Sequence, residues 1–329
     1  MNPLTGGPAE RASVTASPPA VGAVVQFLAT PLEPELPAPT GAVFQRLRHG
    51  HLTGTLDGVL SVSTPPAPGL DVCVRRTAED LALARDLLAR HGLAPGERAL
   101  DPYRLPAGPT PDTAAVRVRL DSGHDESGPA GGTRRWVAAR AVAPVLTAAF
   151  ANSPLYARRP TGWRCTRQAI RLRALTDHDP RWSAAGYRSG ALSGGAPFDA
   201  APFDAARFDA APSPGLLELD MIDAQPGDGW RVAVAVVSAL VDDARAADEA
   251  ITATEGLPAD VWIRAARFGL TDPALADAAR HCFVAAYGAL ARQGVDRDLR
   301  DAVAAYLDRY VNRSRSPADD LLRPTTTRT

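Results

Sequence analysis

The chain has 329 residues, of which 45% are apolar and 22% charged, and its formal net charge is -1. That length buries a large core, as one big domain or two smaller ones. The near-neutral balance excludes the broad basic field of a nucleic-acid or anionic-membrane binder, and because all 36 basic residues are arginine, no lysine serves as phosphate clamp, Schiff-base former or general base.

In chain order, residues 1–20 are rich in Pro, Gly, Ala and Ser and are predicted to be disordered. Val21 to Leu28 reads as a strand, and the four prolines between Pro31 and Pro39 read as an extended linker. Val59 to Ser63 predicts a second strand, ended by Pro65 and Pro66. Thr77 to His91 predicts a helix, with Thr77 as N-cap, Asp80 in the first turn and Gly92 as the stop. After a Pro- and Gly-rich loop, Ala114 to Leu120 alternates, which places Arg117 and Arg119 on one face of a strand. His124 to Gly132 reads as a polar turn.

Arg134 to Asn152 predicts a helix that Pro144 kinks or splits, and Trp163 to Leu175 predicts another. The five-residue repeat from Pro197 to Ala211 fits neither a helix face nor a strand face, so residues 183–214 read as a low-complexity loop. Leu216 to Ile222 reads as a strand. The helices that follow are Trp230 to Asp242, Val261 to Phe268, Pro273 to Gln293 and Leu299 to Asn312, with Gly269 and Gly294 as C-terminal caps. Residues 313–329 read as a frayed tail. Early strands and late helices predict an α+β fold, with residues 21–312 as a single domain.

Cys73, Cys165 and Cys282 lie far apart with no Cys-x-x-Cys pair, which argues against a zinc ribbon and suits a reducing cytoplasm. No signal-peptide pattern opens the chain, and the longest apolar run, near Val232 to Val241, is too short to span a bilayer. No protein partner is legible.

Three stretches carry a resemblance: Leu216 to Trp230, which includes Leu-Glu-Leu-Asp-Met-Ile-Asp-Ala-Gln-Pro-Gly-Asp; Phe150-Ala-Asn-Ser-Pro154; and Gly162-Trp-Arg-Cys-Thr-Arg167. Together they resemble the actinobacterial glutamate–cysteine ligases of ergothioneine biosynthesis, members of the second glutamate–cysteine ligase family. The likeness is strongest from about Arg134 to Leu322, with an interruption between about Asp177 and Gly215. It implies an antiparallel sheet funnel of glutamine synthetase-like type with a mostly helical C-terminal half. It also implies ATP and Mg²⁺ as cofactors and L-glutamate and L-cysteine as substrates, joined to γ-glutamylcysteine. That chemistry needs carboxylates for the cation, donors for the transferring phosphoryl group and an arginine fork for the α-carboxylate of glutamate.

The resemblance places Glu218 as the metal and catalytic carboxylate, with Arg167, Asn152 and Trp163 at the substrate. Read without it, Glu218 is a solvent-facing strand residue and Arg167 a surface or ion-pair residue. Asn152 and Ser153 then close a helix before Pro154, and Asp223, Asp228 and the Gln-Pro-Gly turn are loop and cap chemistry. The chain departs from the family pattern where acids are expected, at Val24, Gln26 and Ser61. It departs again where polar amides are expected, at Arg117 and Arg119, and where arginine is expected, at Asp220. Two arginines facing a Mg²⁺ pocket repel the cation. The departures define a second reading, a catalytically inactive family descendant that acts as a binding or scaffold protein.

Overall fold

Val21, Val24, Val25 and Phe27 give strand character to β1 (Ala20–Pro31), a long and mostly buried strand that pairs with β4, β5 and β6. The computed structural model describes residues 19–32, 40–101, 112–121, 131–157, 159–172 and 216–323. Around β1 the chain adds β2 (Ala42–Arg46), β3 (His51–Thr55), β4 (Val59–Pro68), β5 (Leu93–Pro95), β6 (Ala115–Asp121) and, late in sequence, β9 (Leu216–Asp223). These seven form one antiparallel sheet in the order β2-β3-β4-β1-β6-β9, with β5 paired to the end of β1. A separate short ribbon is made by β7 (Leu155–Tyr156) and β8 (Arg159–Pro160).

The period of two sorts the sheet into two faces. Leu60, Val62, Val116, Val118, Leu120, Leu217 and Leu219 are buried in the main core. Their neighbours Ser61, Ser63, Arg117, Arg119 and Glu218 are only partly buried. Against the apolar face packs α4 (Gly229–Asp242), in which Val232 to Val241 are all buried, together with α1 (Leu70–Ala89) and α2 (Gly132–Ala149). A helix apolar on every side belongs between layers. Here α5 (Ala244–Thr254) and α7 (Pro273–Arg292) cover it from outside, and α8 (Arg297–Arg309) packs on α4 and α7. The short α3 (Thr166–Arg171) and α6 (Val261–Phe268) pack on each other.

The α+β architecture agrees with the sequence reading, and several boundaries differ from it. Strand β4 continues through Pro65 and Pro66 to Pro68. The β1–β4 ladder shifts register between Val21 and Ala23, and Gly22 has no Cβ, which would meet Pro66 at 3.2–3.3 Å. The ladder thus accommodates residues that have no N–H to give. Helix α1 begins at Leu70 rather than Thr77. Thr77 is buried in mid-helix, and buried Asp80 accepts from the His49 backbone N–H at 2.9 Å and from Thr64 Oγ1 at 3.3 Å. Helix α2 runs unbroken through Pro144. Helix α3 starts at Thr166, three residues after the predicted Trp163.

Helix α5 was not predicted. It follows α4 after one residue, Asp243, whose carboxylate caps it by accepting from the Ala246 N–H at 2.9 Å. The tail beyond Arg313 was predicted to fray. Instead α9 (Pro317–Leu321) forms there with a Ser316/Asp319 capping box, and Ala318 is fully buried. The expectations for residues 1–18 and for the low-complexity loop 183–214 lie outside the described residues, as do most of the Pro31–Pro39 linker and the His124–Gly132 turn.

Candidate functional site

The chemistry-bearing residues of the sequence reading meet on β6 and β9. A bulge in this ladder sets Asp220 and Met221 opposite the single residue Arg117. Met221 is buried in the core, while the Asp220 carboxylate stays with Glu218 and the two β6 arginines. Arg119 Nε donates to Glu218 Oε2 at 2.6 Å, and Arg119 Nη1 donates to Ser63 Oγ at 3.1 Å. Arg117 Nη1 stands 3.5 Å from Glu218 Oε1, and its Nε is 3.3 Å from Asp220 Oδ2.

From the sheet edge, α3 brings two further arginines. Arg167 Nη1 donates to Asp220 Oδ1 at 3.1 Å, and Arg171 Nη1 lies 3.2 Å from Asp220 Oδ2. Arg167 also closes the open edge of β9, with Nη2 donating to the Ile222 carbonyl at 3.0 Å, and Arg171 Nη1 donates to the Asp220 carbonyl at 2.6 Å. An unpaired sheet edge needs such cover.

Beneath this layer Asp223 is a fully buried hub. Its Oδ2 accepts from the Asn152 N–H at 2.8 Å and from Ser153 Oγ at 2.7 Å, and its Oδ1 accepts from Arg167 Nε at 3.0 Å and from Cys165 Sγ at 3.2 Å. Burial and the adjacent Asp223 charge push the Cys165 thiol well above its ordinary range, so it stays protonated and donates. Burial works to lower the Arg167 pKa, but the Asp220 and Asp223 carboxylates outweigh it and hold the guanidinium charge above its usual range. Asn152 completes the junction by donating through Nδ2 to the Glu97 and Ala224 carbonyls, at 2.9 and 2.7 Å.

Residues 109–328 match the model of glutamate-cysteine ligase family 2. The chain belongs to this family. It is 28% identical over 331 residues to the glutamate–cysteine ligase EgtA of Mycobacterium tuberculosis, covering 80% of this chain and 74% of that protein. It is 27% identical over 328 residues to EgtA of Mycolicibacterium smegmatis, covering 80% and 75%. Among solved structures it is similar to a bifunctional glutathione synthetase from Pasteurella multocida, with a TM-score of 0.52 and 12% identity. That likeness covers 94% of this chain and half of the other, so the chain spans half the length of that structure, and at this identity it shows the fold alone.

The positions that the sequence reading of this glutamate–cysteine ligase family member set apart from the family's expected pattern lie on neighbouring strands of the sheet. Gln26 lies opposite Ser61 and donates to its Oγ at 3.1 Å. Val24 lies opposite Ser63 on one side and Arg117 on the other. Of the residues read as substrate contacts, Arg167 and Asn152 meet at Asp223, and only 3% of the Arg167 side chain is exposed. Trp163 is buried in a separate apolar cluster with Leu100, Tyr156 and Ala266, with the Arg267 guanidinium 5.9 Å from its ring centre. The Asp223 hub was missed, because the sequence placed this residue in loop and cap chemistry. Its signal was position: it ends an alternating strand, where an acid faces inward.

The described residues do not fit Mg²⁺. A hard cation gathers several oxygen ligands. Among the described residues no group of three or more His, Cys, Asp or Glu stands ready to hold a metal. All four carboxylate oxygens of Glu218 and Asp220 already face a guanidinium within 3.5 Å. Charges of like sign at such range repel strongly away from bulk water, so a cation entering here must displace arginines rather than water.

Proposed function

We propose that this chain is a glutamate–cysteine ligase family member that no longer runs metal-dependent phosphoryl transfer at the β6–β9 face and has kept the sheet and its helices as a binding scaffold. One observation carries the reading: Glu218 and Asp220 are ion-paired to Arg117, Arg119, Arg167 and Arg171. A carboxylate committed to a guanidinium in a half-buried setting is a poor metal ligand, because binding the ion requires breaking charge-assisted hydrogen bonds first. The buried, unbridged cysteines suit a reducing compartment, and we place the protein in the cytoplasm.

A second reading is favoured by the relatives, which are named glutamate–cysteine ligases. In it the chain joins L-glutamate and L-cysteine with ATP and Mg²⁺ for ergothioneine synthesis. Glu218 is then the metal and catalytic carboxylate, and Arg167, Asn152 and Trp163 line the substrate.

The test is an assay of purified protein with ATP, Mg²⁺, L-glutamate and L-cysteine, with γ-glutamylcysteine followed by mass spectrometry beside an active family member. Folded, monodisperse protein is expected to give no product above the protein-free control. Product that disappears in Glu218→Ala selects the second reading.

A further inference from the structure

We infer that Arg117 and Arg119 are built-in counter-cations: they take over against Glu218 and Asp220 the electrostatic role of a divalent ion, so that this face actively excludes one. The inference deepens the non-catalytic reading of the same site and rests on it.

Three observations carry it. The first is position. Both arginines come from one strand, two residues apart, and their strand is the direct neighbour of the one that bears the two carboxylates. The second is orientation. Arg119 is held from both sides, by Glu218 at 2.6 Å and by Ser63 at 3.1 Å, which fixes its charge over the carboxylate. Arg117 instead bridges the two acids, reaching Glu218 Oε1 with Nη1 and Asp220 Oδ2 with Nε. Its Nε is buried and makes no hydrogen bond, so the 3.3 Å approach to Asp220 is an approach of charges. A cation shared by two carboxylates occupies the same kind of position between them.

The third observation is charge balance. Among the described residues, Glu218, Asp220 and Asp223 carry three negative charges, against the four positive charges of Arg117, Arg119, Arg167 and Arg171. Among the described residues the cluster therefore has no surplus negative charge for a divalent ion to neutralise. Without Arg117 and Arg119 the balance reverses, leaving three carboxylates against two arginines, both engaged on the α3 side of Asp220. The Glu218 carboxylate is then free, and the face becomes one that attracts cations.

The experiment uses Mn²⁺, read by the loss of its free-ion electron paramagnetic resonance signal, on the full chain. Four proteins are compared: wild type, Glu218→Gln, the pair Arg117→Gln with Arg119→Gln, and that pair combined with Glu218→Gln. Wild type and Glu218→Gln are expected to bind the same amount of Mn²⁺. The arginine pair variant is expected to gain one site at least about tenfold tighter than any wild-type binding, and the combined variant to lose it. The inference is overturned by wild-type Mn²⁺ binding that Glu218→Gln abolishes, or by a folded arginine pair variant that gains none. If circular dichroism shows the pair variant unfolded, Arg119→Gln alone carries the same comparison. Wild-type protein that makes no γ-glutamylcysteine yet binds Mn²⁺ through Glu218 contradicts this inference alone, whereas product formation contradicts the functional reading.

Discussion

Asp223 joins three segments through a single side chain: the stretch after α2, by way of the Asn152 N–H and the Ser153 hydroxyl, the N-terminus of α3 through Cys165 and Arg167, and its own strand β9. Because it and Arg167 are both buried, neither charge can fall back on water when its partner is removed. Asp223→Ala is therefore expected to destabilise the protein by about 3–5 kcal/mol in urea unfolding, and a loss under about 1 kcal/mol contradicts the hub. Arg119 and Glu218 contrast with this, since each side chain keeps about a quarter of its surface in solvent and screening weakens the pair. At this scale the sequence was informative about one strand at a time. Alternation put Arg117 and Arg119 on one face, and Glu218 and Asp220 on another. That these faces adjoin depends on pairing strands about 100 residues apart, which no local pattern encodes.

Among the elements, those with a strong period were legible: β6, β9, α6 and α7 fall within a residue or two of their predicted bounds. Helix α7 was marked by its own chemistry, since Asp272 caps the Ala274 and Leu275 N–H groups and Pro273 takes the first turn. Strands β2 and β3 went unseen. β2 is largely exposed and lies at the sheet edge, with Phe44 79% accessible, so it shows no buried alternation. β3 contains Gly54, a poor strand former by propensity. Yet Gly54 is what lets this hairpin close. Its φ of 134° is open to glycine but strained for other residues, and an added Cβ would stand 2.1 Å from the Val59 carbonyl oxygen. Gly54→Ala is expected to cost about 2–3 kcal/mol and to loosen β2 and β3 first, read as early hydrogen exchange of the Thr53 and Thr55 amides. Unchanged exchange at both would show that the hairpin tolerates the side chain.

On the scale of the whole molecule, the sheet and helices keep the α+β architecture that the family resemblance implied, and the polar sheet face carries four arginines against its carboxylates. The core explains how both hold at once. Alternating residues on β4 and β6 give the sheet one face that packs on the helices and another that is only partly buried, and Gln26, Ser61, Arg117 and Arg119 are partly buried and outside the main core. Among the described residues no helix is long and apolar enough to cross a membrane. Arginines balance the charge of Glu218 and Asp220, and in the proposed reading this leaves the first half-reaction of a ligase without its ion. The most direct measurement is glutamate-dependent formation of ADP from ATP by the purified chain in Mg²⁺, with cysteine omitted. The account predicts a rate equal to the protein-free control from protein shown to be folded. A glutamate-dependent rate that Glu218→Ala removes would contradict it.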